Sequence, residues 1–485
     1  MRNTRIPLLN VRLAALLVLF AAPVKGADEV PFERPDSLQP AIAFWTQVYS
    51  EVDSLSGFIH DNRNLDIVYE TLRFNWYDSS QVQESKIKRV VQHYQDALQV
   101  LATGKREDLT TREQKVLALW GDKAGDNTLA AAADRLRFQR GQADRICDGA
   151  IRAGSWENRI RKTLRDFDLP EVLAALPHVE SSYNPRVQSH AGAAGLWQFT
   201  RFTGRHFLRV DQIIDERFDP VKSTEGAARL LQKYYSKLQS WPLTITAYNH
   251  GLSGVRRAVR ETGSTDIGDI VQGYTGPRFG FASRNYYAAF LAAADVTRNA
   301  EKHFGSLDLQ EDENYWIVKL PSYLPVGDLI QQLALDTDLI KSLNPALQHA
   351  VWNGNKHVPR DYQLRLPATT GNTTITALLT RVQGHEQQVP DIFYRVQEGD
   401  TLSGIALRYN HSVRDLVALN NLGSESRILV GQSLRLSSAT LPEAIQLAAM
   451  ELLRDGVEPV LLPASDASNE SAATSPSTRA PGAGR

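Results

Sequence analysis

The amino-acid sequence predicts a mainly α-helical chain that ends in small α+β modules. Two observations carry that expectation. Through residues 40–165 apolar side chains return every three or four positions, as at Ile87, Val90, Val91, Tyr94, Leu98 and Leu101, the spacing of one helix face. Beyond residue 314 the texture changes to short β-like runs, YWIVKL and YQLRLP, set around helical ones.

The chain opens with Arg2, Arg5 and Arg12, an apolar run from Leu13 to Val24 and small residues at Gly26 and Ala27, so residues 1–26 read as a secretory signal. An uncleaved membrane anchor is the competing reading, although the run is shorter than the ~20 residues that cross a bilayer. No cysteine lies near the exit to carry a lipid. Cys147 is the sole cysteine of the chain, so no intrachain disulfide is possible and the exported fold must rely on packing.

With 485 residues the chain exceeds a single core, and at roughly 100 to 200 residues per domain it should hold several units. An N-terminal helical region is expected over 27–137 and a second helical block over 138–305. A mixed module at 314–370 and another at 392–437 follow, before a Ser-, Ala- and Pro-rich tail at 463–485 that has too little to bury and should be disordered. The 54 basic and 55 acidic side chains nearly cancel and form no basic block, which argues against nucleic acid as a partner.

In LPHVESSYNPRVQSHAGAAGLWQFT, residues 176–200, Glu180 is the one carboxylate, and none follows until Asp211. Asp168 and Glu171 have the spacing of a capping box, with Pro170 tolerated in the first turn, so a helix is expected to start there. On that helix Glu180 stands one turn past Leu176 and two past Leu173, over an apolar stripe. Pro177 should kink the helix just before it. A carboxyl desolvated in this way has a raised pKa and keeps a proton near neutrality, as a general acid requires. The competing reading is a buried glutamate held by hydrogen bonds or by Arg186. Asp215, Glu216 and Asp219 read as loop and cap residues before a helix starting near Ser223. Ser181 or Ser182 with His190 lacks the G-x-S-x-G elbow of a serine hydrolase, and no H-E-x-x-H or comparable spacing suggests a metal.

Four ordered motifs, ESSYNP at 180, SHAGAAGLWQ at 189, TAYNHG at 246 and FASRNYYAA at 281, resemble those of the lytic transglycosylases related to goose-type lysozyme, within them the membrane-bound lytic murein transglycosylase D group. The resemblance covers about residues 138–300 and implies a lysozyme-like helical catalytic domain that needs no cofactor. By that resemblance Glu180 is the catalytic acid/base, Ser189 lies near the lactyl group of muramic acid, and Gln198 is a pocket glutamine. Tyr248 and Asn249 line the subsite for the N-acetyl group, and Tyr286 brings its hydroxyl to the catalytic carboxyl. Ala282 departs from the motif, which usually opens with an acidic residue. Taken singly, Gly192 and Gly195 read as turn glycines, Trp197 as core and Asn249 as a cap.

Most glycosidases pair two carboxylates, and no second one stands near Glu180 in sequence, so the substrate's own 2-acetamido group is the expected substitute. The rival readings are a water-using lysozyme-like hydrolase and an inactive murein-binding protein.

Residues 394–436 read strand, helix, helix, strand, with a cap at Asp400 or Thr401 and a second helix from Ser412. They resemble a LysM domain, which implies binding of N-acetylglucosamine chains around Gly399, Asp400, Thr401, Leu402, Ile428 and Leu429. Residues 314–370 share its outline, IKSLNPAL beside LVALNNLG, but lack GDT; a degenerate, structural copy is expected in preference to a second binder. The expected partner is the glycan strand of peptidoglycan and the expected location the periplasm of a Gram-negative bacterium. A monomer is expected, with peripheral membrane association left open.

Overall fold

A computed structural model describes residues 32–461, except 313, 334–335, 371–374, 376–380, 421, 423–426, 438–440, 442–444 and 446–459. The expected signal and tail lie outside those residues. The first described helix, α1 (Gln39–Ser50), carries Pro40 in its first turn, where no donor is lost, and buries Phe44, Trp45, Val48 and Tyr49.

The region expected to be wholly helical also contains a sheet. Strands β1 (Ser56–Asp61), β2 (Val68–Arg73) and β3 (Leu136–Arg140) pair antiparallel in the order β2-β1-β3. Every residue of β1 is buried because the strand runs between two cores: Phe58 packs with Phe44 on one side, and Ile59 joins Tyr69, Tyr94 and Leu98 on the other. A strand covered on both faces shows no alternation, and six residues are too few to interrupt a helical period. The helices themselves follow the expected face. In α2 (Ser80–Ala102) Tyr94, Leu98 and Leu101 are buried, and Ile87, Val90 and Val91 pack against the same cluster. Thr110 and Glu113 form a reciprocal capping box on α3 (Thr111–Trp120), and α4 (Asp126–Ala133) packs on α2.

The second block begins with α5 (Ala143–Ala153) and α6 (Glu157–Asp166). The capping box expected of Asp168 and Glu171 does not form. Asp168 takes a left-handed φ of 54° that lets the Leu169 N–H return to the Leu164 carbonyl, closing α6. Glu171 is drawn to Arg165, at 2.7 Å, instead of reaching back to a cap. A 3-10 turn, Glu171–Ala175, leads into α7 (Leu176–Ser181), so Pro177 sits in a first turn and makes no kink. The short α8 (Arg201–Gly204) is followed by α9 (Pro220–Leu238), α10 (Trp241–His250), α11 (Leu252–Thr262), α12 (Ile267–Gly273), α13 (Phe281–Arg298) and α14 (Ala300–Phe304). Helix α13 is the axis of this block: Tyr286, Phe290 and Ala293 are buried in it, and α1, α7 and α10 pack around it.

In the first mixed module β4 (Tyr315–Lys319) pairs antiparallel with β5 (Gln363–Pro367), with α15 (Val326–Leu333), α16 (Thr337–Leu343) and α17 (His349–Trp352) between them. In the second, β6 (Ile392–Arg395) pairs antiparallel with β7 (Ser433–Leu436) around α18 (Leu402–Arg408) and α19 (Val413–Leu419), and β8 (Val460–Leu461) adds a parallel edge that the sequence did not suggest. Thr401, not Asp400, caps α18 by accepting the Gly404 N–H at 3.0 Å.

Candidate active site

Glu180 stands in the last turn of α7, and the chain is turned sharply away after it by left-handed Ser182 and Tyr183, with φ of 50° and 55°. Those conformations are unfavourable for residues with a Cβ and persist because neighbours fix them. The Tyr183 hydroxyl donates to the Ala174 carbonyl at 2.7 Å, and the Arg152 guanidinium donates twice to the Ser182 carbonyl, at 3.0 and 2.8 Å. Ser181 is buried and donates to the Leu196 carbonyl at 2.8 Å, tying α7 to the loop that faces it. That hydroxyl is structural, and His190 is exposed on the loop.

Glu180 is half-buried as a residue, and protein surrounds its carboxyl closely enough that burial pushes the pKa up from 4.5 to about 7. The Tyr286 hydroxyl donates to Oε1 and opposes part of that rise. No carboxylate contributes to the shift, and among the described residues no cation pairs with Glu180; Arg186 is exposed. Tyr49, Tyr248 and Tyr286 are all held well above their ordinary pKa, first by burial and then by the charge of Glu180, so they remain neutral hydroxyls. Tyr49 comes from α1, in the N-terminal region for which the sequence suggested no site residue. His178, two residues before Glu180, is buried and driven down to about 3 by burial and by Arg152 and Arg161, hence it is neutral.

The facing loop, 187–199, is a small ladder with bridges Gln188–Ala194 and Ala194–Phe199. Ser189 closes its tip: the Oγ accepts the Ala193 N–H at 3.0 Å, and the Ser189 N–H donates to the Ala193 carbonyl at 2.8 Å. Gly195, at φ 77°, is obligatory, because a Cβ there would fall 1.7 Å from the Arg217 carbonyl oxygen. Gln198 clasps the loop, its Nε2 donating to the carbonyls of Gly195 at 2.8 Å and Val187 at 3.2 Å. Trp197 is fully buried and donates to Thr224, and the Tyr248 hydroxyl donates to the Trp197 carbonyl at 2.7 Å. Asn249, exposed at the end of α10, accepts from Ser283 of α13 at 2.8 Å.

Sequence reading missed Arg217, which holds this loop from behind. It is fully buried, grips Asp215 with two bonds of 2.9 and 2.7 Å, and donates to the carbonyls of Gly192 at 2.8 Å and Phe199 at 3.0 Å. Asp219 caps α9 through the Val221 and Lys222 N–H groups, and Glu216 accepts the Arg209 N–H at 2.7 Å, so the acidic cluster works in loops and caps.

In the second module Gly399 takes a φ of 85°, Thr401 and Leu429 are exposed and Ile428 is half-buried. Leu402 is turned into the core. Asp400 is committed inward, accepting from Tyr394 and from the Gln397 N–H at 2.8 Å and lying 3.4 Å from Arg408.

Residues 158–271 match the Transglycosylase SLT domain and residues 394–437 the LysM domain, so fold and site together define a transglycosylase SLT domain joined to a LysM domain. The SLT match encloses Glu180 and the 187–199 loop; Tyr286 lies beyond it and is tied to the site by its hydrogen bond. The chain is homologous to membrane-bound lytic murein transglycosylase D of Escherichia coli (strain K12), 27% identical over 322 residues that cover 63% of this chain and 70% of that protein. Membrane-bound lytic murein transglycosylase F 2 of Alkalilimnicola ehrlichii is 27% identical over 168 residues, 31% of this chain and 36% of that one. The crystal structure of the 70 kDa soluble lytic transglycosylase of Escherichia coli is 15% identical with a TM-score of 0.28, covering 45% of this chain and 44% of its own. At that score the fold assignment rests on the arrangement described above.

Proposed function

We infer that this protein is a peptidoglycan lytic transglycosylase that cleaves the β-1,4 bond between N-acetylmuramic acid and N-acetylglucosamine without water. The observation that carries the inference is one carboxyl poised near neutrality, with tyrosine hydroxyls around it and no second carboxylate contributing to its state. Glu180, protonated, donates to the glycosidic oxygen as the bond to C1 breaks. The substrate's 2-acetamido oxygen stabilises the electron-poor C1, the part a second carboxylate plays in most glycosidases. Glu180, now ionised, removes the proton of the muramic C6 hydroxyl as that oxygen attacks C1. The proton is returned, the acid is regenerated, and the product is a 1,6-anhydromuramyl end. Tyr286 stabilises the ionised form of Glu180 between the two transfers, which its bond to Oε1 supports. Ser189, Tyr248 and Asn249 would contact the sugar from the facing loop and from α10. Gln198 would act by holding that loop, since both acceptors of its Nε2 are backbone carbonyls of the loop itself.

The LysM module would hold glycan through its Thr401, Ile428 and Leu429 rim, raising the effective concentration of the catalytic block on an insoluble polymer. We place the reaction in the periplasm, after removal of residues 1–26. Among the described residues no helix is long and apolar enough to cross a membrane. Mass spectrometry of muropeptides released from purified sacculi tests the reading: anhydro ends support it, whereas reducing ends mean a hydrolase and no release means a binding protein. Glu180→Gln should lower turnover by at least about a hundredfold, the scale of a lost general acid, and parent-like digestion by that variant would sink the mechanism.

A further inference from the structure

The module at 314–370 repeats the LysM module nearly bond for bond. The last strand pairs, Lys319–Gln363 and Arg395–Ser433, are equivalent. Beyond them the Leu320 N–H donates to the Tyr362 carbonyl at 3.1 Å and the Asp361 N–H to the Leu320 carbonyl at 2.9 Å. Val396, Gln432 and Gly431 make the same two bonds at 2.9 and 2.8 Å, and Asp361 and Gly431 share a left-handed φ, 65° and 82°. Asn344 exchanges bonds with the backbone of Arg365 at 2.8 and 2.9 Å, just as Asn420 does with that of Arg435 at 2.9 and 2.6 Å. The correspondence therefore sets Leu324 against Asp400, Val358 against Ile428, and Arg365 against Arg435.

Two differences stand out against this agreement. In the LysM module Asp400 and Ile428 lie on separate loops and exchange no backbone hydrogen bond among the described residues. Their equivalents, Leu324 and Val358, are buried and bond to each other in both directions, at 3.1 and 2.8 Å, so the two loops are zipped together where the other module has an open rim. The second difference is where the arginine goes. Arg435 pairs with Asp391, just before the paired strand β6, at 3.1 Å. Arg365 reaches into the catalytic block and donates to Asp219 at 2.9 Å, an ion pair whose two side chains are both buried. Around it the Asp215 N–H donates to the Ala346 carbonyl at 2.8 Å and the Gln348 N–H to the Ile213 carbonyl at 3.0 Å, while Ile213 and Ile214 enter the core of the repeat. The segment held in this way, 213–219, is the one whose Asp215 and Arg217 carry the loop of Ser189 and Gln198.

We propose that the 314–370 repeat has exchanged glycan binding for a brace, and that Arg365 is a positioning residue that fixes the 187–199 loop through Asp219, Asp215 and Arg217. The proposal rests on the reading that this loop lines the substrate cleft. An ion pair removed from water and surrounded by backbone bonds has one geometry, so it transmits position and not merely attraction.

The test uses the full chain with Arg365→Ala and Arg365→Lys, read by turnover of solubilised glycan strands and by amide hydrogen exchange. For Arg365→Ala, KM should rise about tenfold with a smaller change in kcat, the order expected when a binding loop is displaced without touching the acid. Exchange should quicken at 187–199 and 213–219 and stay at the parent rate along α13. Arg365→Lys, which keeps the charge but loses the planar fork, should fall between the two. Parent-like KM and exchange in both variants would overturn the brace, and so would lost protection along α13 in both, which marks a general loss of folding. Titration of Glu180→Gln with N-acetylglucosamine oligomers should protect amides at 397–402 and 427–432 and leave 322–326 and 356–361 unchanged; protection at the latter pair would restore a second binder. Exchange is read without turnover, so a protein that released reducing ends would refute the proposed function and leave this test standing.

Discussion

A carboxyl kept protonated near neutrality is stable in its neutral form and strained in its ionised one, and Glu180 shows both consequences. Its pKa is raised from 4.5 to about 7, so the folded protein binds a proton there that the unfolded chain releases between those values. Stability contributed by the neutral form is present below pH 4.5 and is lost as pH climbs to about 7. Glu180→Gln cannot ionise, so it should match the parent at pH 4 and exceed it at pH 8 by on the order of 2 kcal/mol, allowing for partial solvent contact. Thermal melts of the two proteins at both pH values measure the difference, and equal gaps would show that Glu180 is not perturbed. Activity should share the limb, falling as pH rises through about 7 because the acid loses its proton. Tyr286→Phe removes the bond that favours the ionised form, so the alkaline limb should move upward, by roughly one unit, while the maximal rate falls. A downward or absent shift in the pH profile would mean that the hydroxyl does not hold the carboxylate.

The loop at 187–199 sets how closely an element can be specified by its neighbours. Gly192 and Gly195 have almost the same left-handed φ, 78° and 77°, but the first faces open space and the second faces the Arg217 carbonyl. Gly192→Ala should therefore cost only about 1 kcal/mol, the left-handed penalty, while Gly195→Ala must push backbone from backbone and should cost about 2–4 kcal/mol with loss of turnover. Denaturant melts and rates on glycan strands check the contrast; equal effects would deny Arg217 its place behind the loop. The motif words made Glu180, Tyr248 and Tyr286 legible in sequence because a local string carries each of them. Arg217 and Tyr49 were not, since one depends on backbone carbonyls of a loop 18 and 25 residues before it, which no side-chain pattern marks, and the other on how α1 packs against α13. The same limit explains the failed capping box, where Arg165 competes for Glu171, and the hidden strand β1, whose burial on both faces erases the alternation that would have revealed it.

At the scale of the whole molecule, ion pairs join each unit to the next. Arg34 binds Asp295 of α13 twice at 2.7 Å, Arg365 binds Asp219, and between the two modules Lys356 meets Asp391 at 2.9 Å, beside a hydrogen bond of 2.8 Å between His349 and Asp415. The LysM module is thus docked on the brace, and its rim turns outward with Leu429 and Val430 still 73% and 69% exposed. Apolar side chains left in water on the rim proposed to hold glycan are a place to lose affinity without disturbing the core. Leu429→Asp in the full chain should lower both retention on sacculi and the rate of sacculus digestion about tenfold, as tethering is lost. Its rate on short solubilised strands, where tethering confers no advantage, should equal that of the parent. If the variant lost both activities together, the module would be acting on the catalytic block itself, and affinity and cleavage would not be divided between the two units.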